Sequence, residues 1–358
     1  MKRTILLFPF LALFLISHAQ PVILPPQSKR AAVAEWIGLS KVEIEYHRPG
    51  VKGREGNIYG ENGIVPYDGG NPAPWRAGAD ENTTISFEDN VIIQGKPLPA
   101  GKYGFFIALE ESRWTLIFSK NYWSWGAYFY DTAEEALRVE VVPEACEPAE
   151  WLEYRFVNQT DNSADVEMRW ERKKIRFTVE VDVHAVTMQR MERELEGGKG
   201  FTWDGWNSAA QYCLQSGKDL DKGFAWATRA ADPALFGEKN FTTLSTKAQY
   251  LEKLGRAHEA KPLMEEALTL ATMVEMHFYG RSLLDQNKAQ QAVEIFELNR
   301  AKNPMDNFTT YVGLGRGYMA VGKYKEAAAY FRMAAPNAPQ GSSGMYEDLA
   351  RQCEAKIK

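Results

Sequence analysis

Four basic side chains and two tryptophans, spread over one stretch of the chain, are the residues best suited to chemistry. Arg48, Lys52 and Arg54 stand among Pro49, Gly50 and Gly53, and Trp75-Arg76 precedes Asp80-Glu81. Arginine presents a fixed fork of donors that matches carboxylate or phosphate. Trp75 and Trp125 offer flat faces to a sugar or a guanidinium. Two readings fit. In one, Trp75 and Arg76 form the centre of a glycan or small-anion site built on loops. In the other, Arg76 pairs with Asp80 or Glu81 and pins a long loop to the fold. Paired carboxylates do acid–base work only at suitable separations, which adjacency in sequence does not supply.

Other chemistries find little support. The chain has no His-Glu-x-x-His, Gly-x-Ser-x-Gly, phosphate-binding glycine loop or zinc cysteine pair,. Glu43, Glu45 and His47 share a face in a strand alternation and could ligate a metal, but a solvated outer face explains them with fewer assumptions. We therefore expect no metal and no cofactor. Cys146 has Glu144 and Glu147 beside it, which disfavours the thiolate,. Three cysteines among 358 residues cannot form a disulfide framework, and a net charge of -5 argues against general affinity for nucleic acid or anionic membrane,.

The N-terminus reads as an export signal, residues 1–19. Lys2-Arg3 precedes the apolar run Ile5–Ile16, and Ser17-His18-Ala19 places small residues where a signal peptidase cuts,. The run is shorter than the roughly 20 residues a membrane span needs. A soluble protein of the periplasm or the extracellular space is expected. Residues 20–30 hold three prolines and read as an extended linker,.

Residues 31–183 predict an all-β antiparallel sandwich. Val42, Ile44 and Tyr46 alternate with Glu43, Glu45 and His47, the period of a half-buried strand,. Further strands are expected at 83–87, 91–94, 103–109, 113–118, 137–142, 151–157, 164–170 and 174–181. They are short, rich in Val, Ile, Phe, Tyr and Trp, and no helical pattern intervenes,. Pro97 and Pro99 predict a turn before the chain re-enters the sheet.

Several short motifs in this half come in a familiar order. They are Tyr46-His47-Arg48-Pro49, Lys52-Gly53-Arg54, Val65-Pro66-Tyr67, Trp75-Arg76-Ala77-Gly78-Ala79, Asp80-Glu81-Asn82-Thr83, Leu98-Pro99-Ala100-Gly101-Lys102-Tyr103-Gly104 and Trp125-Gly126. With them the segment resembles the bacterial family filed as domain of unknown function twenty-nine eleven, over about residues 36–182. The resemblance implies a β-rich exported domain and supplies no activity or catalytic residue. Two departures are an insertion, Gly69 to Pro74, and Asp80 where the family pattern has Asn.

From 184 to 200 the pattern turns helical and then stops at Gly197-Gly198-Lys199-Gly200, which reads as a helical linker ending in a flexible joint,. Residues 201–358 repeat. Small residues recur at 248, 280 and 315 and again at 260, 292 and 327, in steps of 32 and then 35. Tyr311-x-x-Leu314-Gly315-x-x-Tyr318 followed by Ala327-x-x-x-Phe331-x-x-Ala334 is similar to the tetratricopeptide repeat, whose period is 34,. Gly or Ala at those places lets paired helices approach closely while Phe or Met fills the space between units. A fourth, degenerate unit begins near Trp206, and Tyr346, Leu349, Cys353 and Ile357 give one face to a capping helix.

In that family the first helix of each unit lines a concave side. Carried over by register, its groove positions are Gln249, His277, Arg281, Val312, Arg316 and Met319. Arg281 and Arg316 are equivalent, one unit apart, and could hold a carboxylate or instead pair with Asp285 and its neighbours. The function expected is an exported, non-enzymatic adaptor that grips a protein or peptide. The alternative is a glycan- or anion-binding sandwich, hydrolytic in one version, with the repeats as accessory.

Overall fold

The computed structural model describes residues 28–357. The export signal and residues 20–27 of the linker lie outside them. The chain divides into two compact units, the first ending at Met188 and the second starting at Gln189.

Ten strands build the first unit: β1 Lys29–Ile37, β2 Ser40–Arg48, β3 Thr83–Phe87, β4 Val91–Ile93, β5 Lys96–Leu98, β6 Gly101–Leu109, β7 Trp114–Ser119, β8 Glu135–Val141, β9 Glu144–Val157 and β10 Ser163–Glu180. They form a six-stranded sheet in the order β1-β2-β3-β6-β7-β8 and a four-stranded sheet in the order β5-β4-β10-β9. Every pairing between these strands is antiparallel. The inward residues of both sheets share one core, with Val42 and Ile44 of β2, Phe105 and Phe118 of the larger sheet, and Met168, Trp170 and Phe177 of β10. Burying each such side chain stabilises the fold by about 1.5–3 kcal/mol.

The all-β class holds, and three local expectations change. β1 begins at Lys29, inside the segment read as linker. Its Ala-rich sequence lacks a strong alternation because it is an edge strand, with only Ile37 fully buried. Pro97 does not mark a turn; it sits in β5, at an edge of the smaller sheet where a missing N–H breaks no ladder,. The opposite edge, β9, carries Pro148 for the same reason. Runs 164–170 and 174–181 are one strand, β10, which absorbs the charged Glu171-Arg172-Lys173 in a bulge with Glu171 at φ +55°,.

β6 is buried on both faces from Tyr103 to Leu109. The inner face belongs to the sandwich core. On the outer face, Phe106, Ala108 and Ile117 pack against Ala127 and Tyr130. The connection between β7 and β8 therefore folds back over the larger sheet, and that cover creates the clefts described below.

Helix α1, Val183–Glu196, contains the boundary between the units. The glycines after it are not a loose joint. Gly200 is buried, its carbonyl accepts the Trp206 indole N–H at 2.9 Å, and a Cβ there would run into the Leu195 carbonyl.

The second unit continues with α2 Trp203–Ser216, α3 Leu220–Ala230, α4 Phe241–Lys253, α5 Ala257–Leu270, α6 Met273–Asp285, α7 Ala289–Lys302, α8 Thr309–Ala320, α9 Tyr324–Ala334 and α10 Ser343–Glu354. Neighbours pack as α2 with α3, α4 with α5, α6 with α7 and α8 with α9, and α10 lies on α9. This is a tetratricopeptide-like array of four helix pairs with a closing helix. Asn240 and Thr272 start α4 and α6 with reciprocal capping boxes,.

The small residues stand at the crossings. Ala248, Ala260, Ala292 and Ala327 are buried. Phe296 of α7 fills the space between α6 and α8, against Gly280 on one side and Gly313 and Gly317 on the other. Gly315 meets Phe331 of its own pair: a Cβ would lie 2.7 Å from the ring. At the end of the array Tyr346, Ala350 and Cys353 are buried, whereas Ile357 follows the last turn of α10 and is exposed, so it adds nothing to that face.

Candidate functional site

The expected ligand cluster of the first unit divides into props and exposed groups. Arg54 closes its own turn, donating to the carbonyls of Val51 and Gly50 at 3.0 and 2.7 Å. Arg48 donates to the Leu152 carbonyl at 2.8 Å and lies 3.6 Å from the Glu153 carboxylate, which ties β2 to β9. Lys52, at φ +50°, holds its ammonium 6.0 Å from the Trp151 ring. Trp75 lies stacked on Trp170, 5.9 Å between centroids, and donates its indole N–H to Gly78 O at 3.0 Å. Arg54, Arg48 and Trp75 are engaged in holding the fold together, and Lys52 is exposed.

Arg76 departs from the pairing expected for it. Nη1 donates to the backbone carbonyl of Asp80 at 2.7 Å, not to a carboxylate. Its guanidinium lies 5.1 Å from the Trp125 ring, and Trp125 in turn stacks on Tyr128 at 5.9 Å. Asp80 adopts φ +55°, a conformation open to Asn and Asp, and its Oδ2 is buried without a partner,. Glu81 is exposed.

Two clefts open beside this stack. One, about 490 Å³, is lined by Ile64, Pro66, Pro72, Pro74, Leu109 and Tyr128 among others, with Trp75 and Arg76 at its wall. At its far side Tyr130 donates to Glu135, which also takes two hydrogen bonds from Arg138. Burial, with the Glu135 contact, pushes the Tyr130 hydroxyl up to about 12. The other cleft, about 320 Å³, lies between strands β1, β2, β3 and β6 and the loop carrying Trp123 and Trp125. Its floor includes Glu45, His47, Asn82 and Thr84. Lys102 and Arg30 each hold a Glu45 oxygen at 2.8 Å, and these contacts, Lys102 first, keep the carboxyl below its usual range despite burial.

Sequence reasoning placed Glu45 and His47 on a solvated face. His47 is buried instead, because the β7–β8 connection folds over that face. Asn82, noted only as part of a motif, is buried at the floor of this cleft. Nothing local marks an asparagine as buried before the cover is known. Cys146 has its thiol pushed up chiefly by burial, and the charges of Glu167 and Glu171 add a smaller push in the same direction.

In the second unit the expected groove positions separate by depth. Val312 belongs to the core around Phe331 and cannot line a groove; its register position, three before the crossing glycine, faces the paired helix. Met319 is half-buried against the same cluster. His277 occupies the matching position in the previous unit, 9% exposed, with its ring 5.9 Å from Phe296. Burial pushes the imidazole pKa down, and the charges of Arg281 and Arg316 push it the same way. A hydrogen bond with the Thr309 backbone and the charge of Asp306 oppose them. Arg281 is exposed beside Phe278. Arg316 is half-buried, with Nε lacking a hydrogen-bond partner. Neither arginine makes an ion pair among the described residues. Gln249 opens elsewhere, onto a cleft of about 440 Å³ with Glu252, Lys253 and Tyr279.

Residues 28–179 match the model of the family described as Protein of unknown function (DUF2911). Solved structures similar to the chain include a single-residue mutant of MamA, at 16% identity over 43% of this chain and 84% of that one, with a TM-score of 0.28. Another is "MamA RS-1 ArsTM double mutant", at 18% identity over 45% and 93%, with a TM-score of 0.27. No curated protein matches.

Among the described residues no helix is long and apolar enough to cross a membrane.

Proposed function

We propose that the protein is an exported adaptor whose helical array holds an acidic or carboxylate-bearing segment of a partner protein. The observation that carries this reading is the pair Arg281 and Arg316. They occupy equivalent positions on α6 and α8, the charge of each acts on the same buried His277 imidazole, and neither forms an ion pair among the described residues. Arginines without a counter-ion are ready to take a carboxylate by charge-assisted hydrogen bonds. Export rests on the order of charge, apolar run and small residues at positions 2–19,.

Capture from an envelope extract by the wild-type chain and by Arg281→Glu/Arg316→Glu tests the groove. The expected result is loss of the retained partners in the double variant. Identical partner sets would remove the groove from the account. Sequencing the N-terminus of protein made in a Gram-negative host tests export: Gln20 is expected first, and an intact Met1 in all of the protein refutes cleavage.

A further inference from the structure

The cleft over the outer face of the larger sheet has chemistry that the helical array does not explain. Asn82 lines it, is 5% exposed, and neither its Oδ1 nor its Nδ2 has a hydrogen-bond partner. An amide buried with both ends unsatisfied is costly, and in native folds such a group is met by an ordered water, an ion or a ligand. Above it the loop exposes aromatic rings. Trp123 is 70% exposed, set edge-on to Tyr122 at 5.3 Å, and no cation lies over its faces among the described residues. Trp125 is already engaged with Tyr128 and Arg76.

The charges of the wall decide the ligand class. Arg30 and Lys102 are closed onto Glu45, and Glu81 adds one further negative charge, so the formal charges cancel. An anion finds no free cation there. A purely apolar ligand would leave both ends of the Asn82 amide unsatisfied. A sugar fits both demands, because each hydroxyl donates and accepts while the C–H face of the ring lies on an indole. A volume of about 320 Å³ suits a single small ligand,. We infer that this cleft is a binding site for a neutral carbohydrate unit, with Asn82 as its buried polar anchor and Trp123 as its stacking shelf. The site lies wholly in the first unit and is independent of what the helical array holds.

Saturation-transfer NMR and calorimetry on the full chain test this, with the methyl glycosides of glucose, galactose, mannose and N-acetylglucosamine as probes and citrate and pyrophosphate as anion arms. At least one glycoside is expected to bind, and Trp123→Ala weakens it about tenfold. Trp123 is exposed, so that variant keeps its fold, which circular dichroism checks. Asn82→Leu is expected to abolish binding. Silence with all four glycosides, equal affinity in Trp123→Ala, or binding of the anions alone overturns the assignment.

Discussion

Replacing Gly315 by alanine inverts a familiar rule. Alanine stabilises an exposed helix interior by about 1 kcal/mol relative to glycine. At Gly315 the added Cβ lies 2.7–3.0 Å from three ring atoms of Phe331. That ring is fully buried among Val312, Ala327 and Tyr346, so it has no room to retreat. Overpacking of this kind costs about 1–3 kcal/mol. The net expectation is a loss of up to about 2 kcal/mol in place of the usual gain. Gly344 supplies the control: it is helical, exposed, and a Cβ there meets nothing within 4 Å. Gly344→Ala should be neutral or raise stability by up to about 0.5 kcal/mol, as it lies in the first turn. Urea unfolding followed at 222 nm, where the helical unit dominates, compares the two. If Gly315→Ala proves as stable as Gly344→Ala, the helices do not cross tightly at that glycine and the packing argument for the array fails.

His277 makes stability depend on pH. Its folded pKa lies below the ordinary 6.5, so between the two values the unfolded chain binds more protons. Stability therefore rises with pH through that window and is lost as pH falls below about 6.5, and His277→Leu should flatten that limb in melts taken from pH 5 to 7. Glu167 works in the acid range. It is fully buried on β10, where burial raises its pKa but hydrogen bonds from Arg176 and Arg155 prevail and hold the group below 4.5. Its contribution is complete above the unfolded value and disappears as pH falls through the folded one. Glu167→Gln should cost about 1–3 kcal/mol near neutrality and leave acid unfolding less steep; because both arginines are partly exposed, water softens the loss,.

The repeat architecture could be read from the chain because its cause is local. A helix pair cannot close without a small residue at the crossing, so glycines and alanines at 248, 280 and 315 report the packing before any coordinates exist,. Strand alternation around Val42, Ile44 and Tyr46 reports burial on one face in the same way,. Edge strands escaped notice because an edge tolerates Pro97 and a bland Ala-rich run, and the bulge at Glu171 disguised one strand as two. The site was less legible still. Arg54, Arg48 and Trp75 have the right chemistry for a ligand, yet carbonyl groups and a second tryptophan had already engaged them, partners up to 104 residues away in sequence. Conversely, Asn82 and His47 acquired meaning only when the loop carrying Trp123 and Trp125 closed over the outer sheet face. Local periodicity encodes which side of an element is apolar. Which polar groups end up covered depends on contacts between distant segments, and no window of sequence contains both.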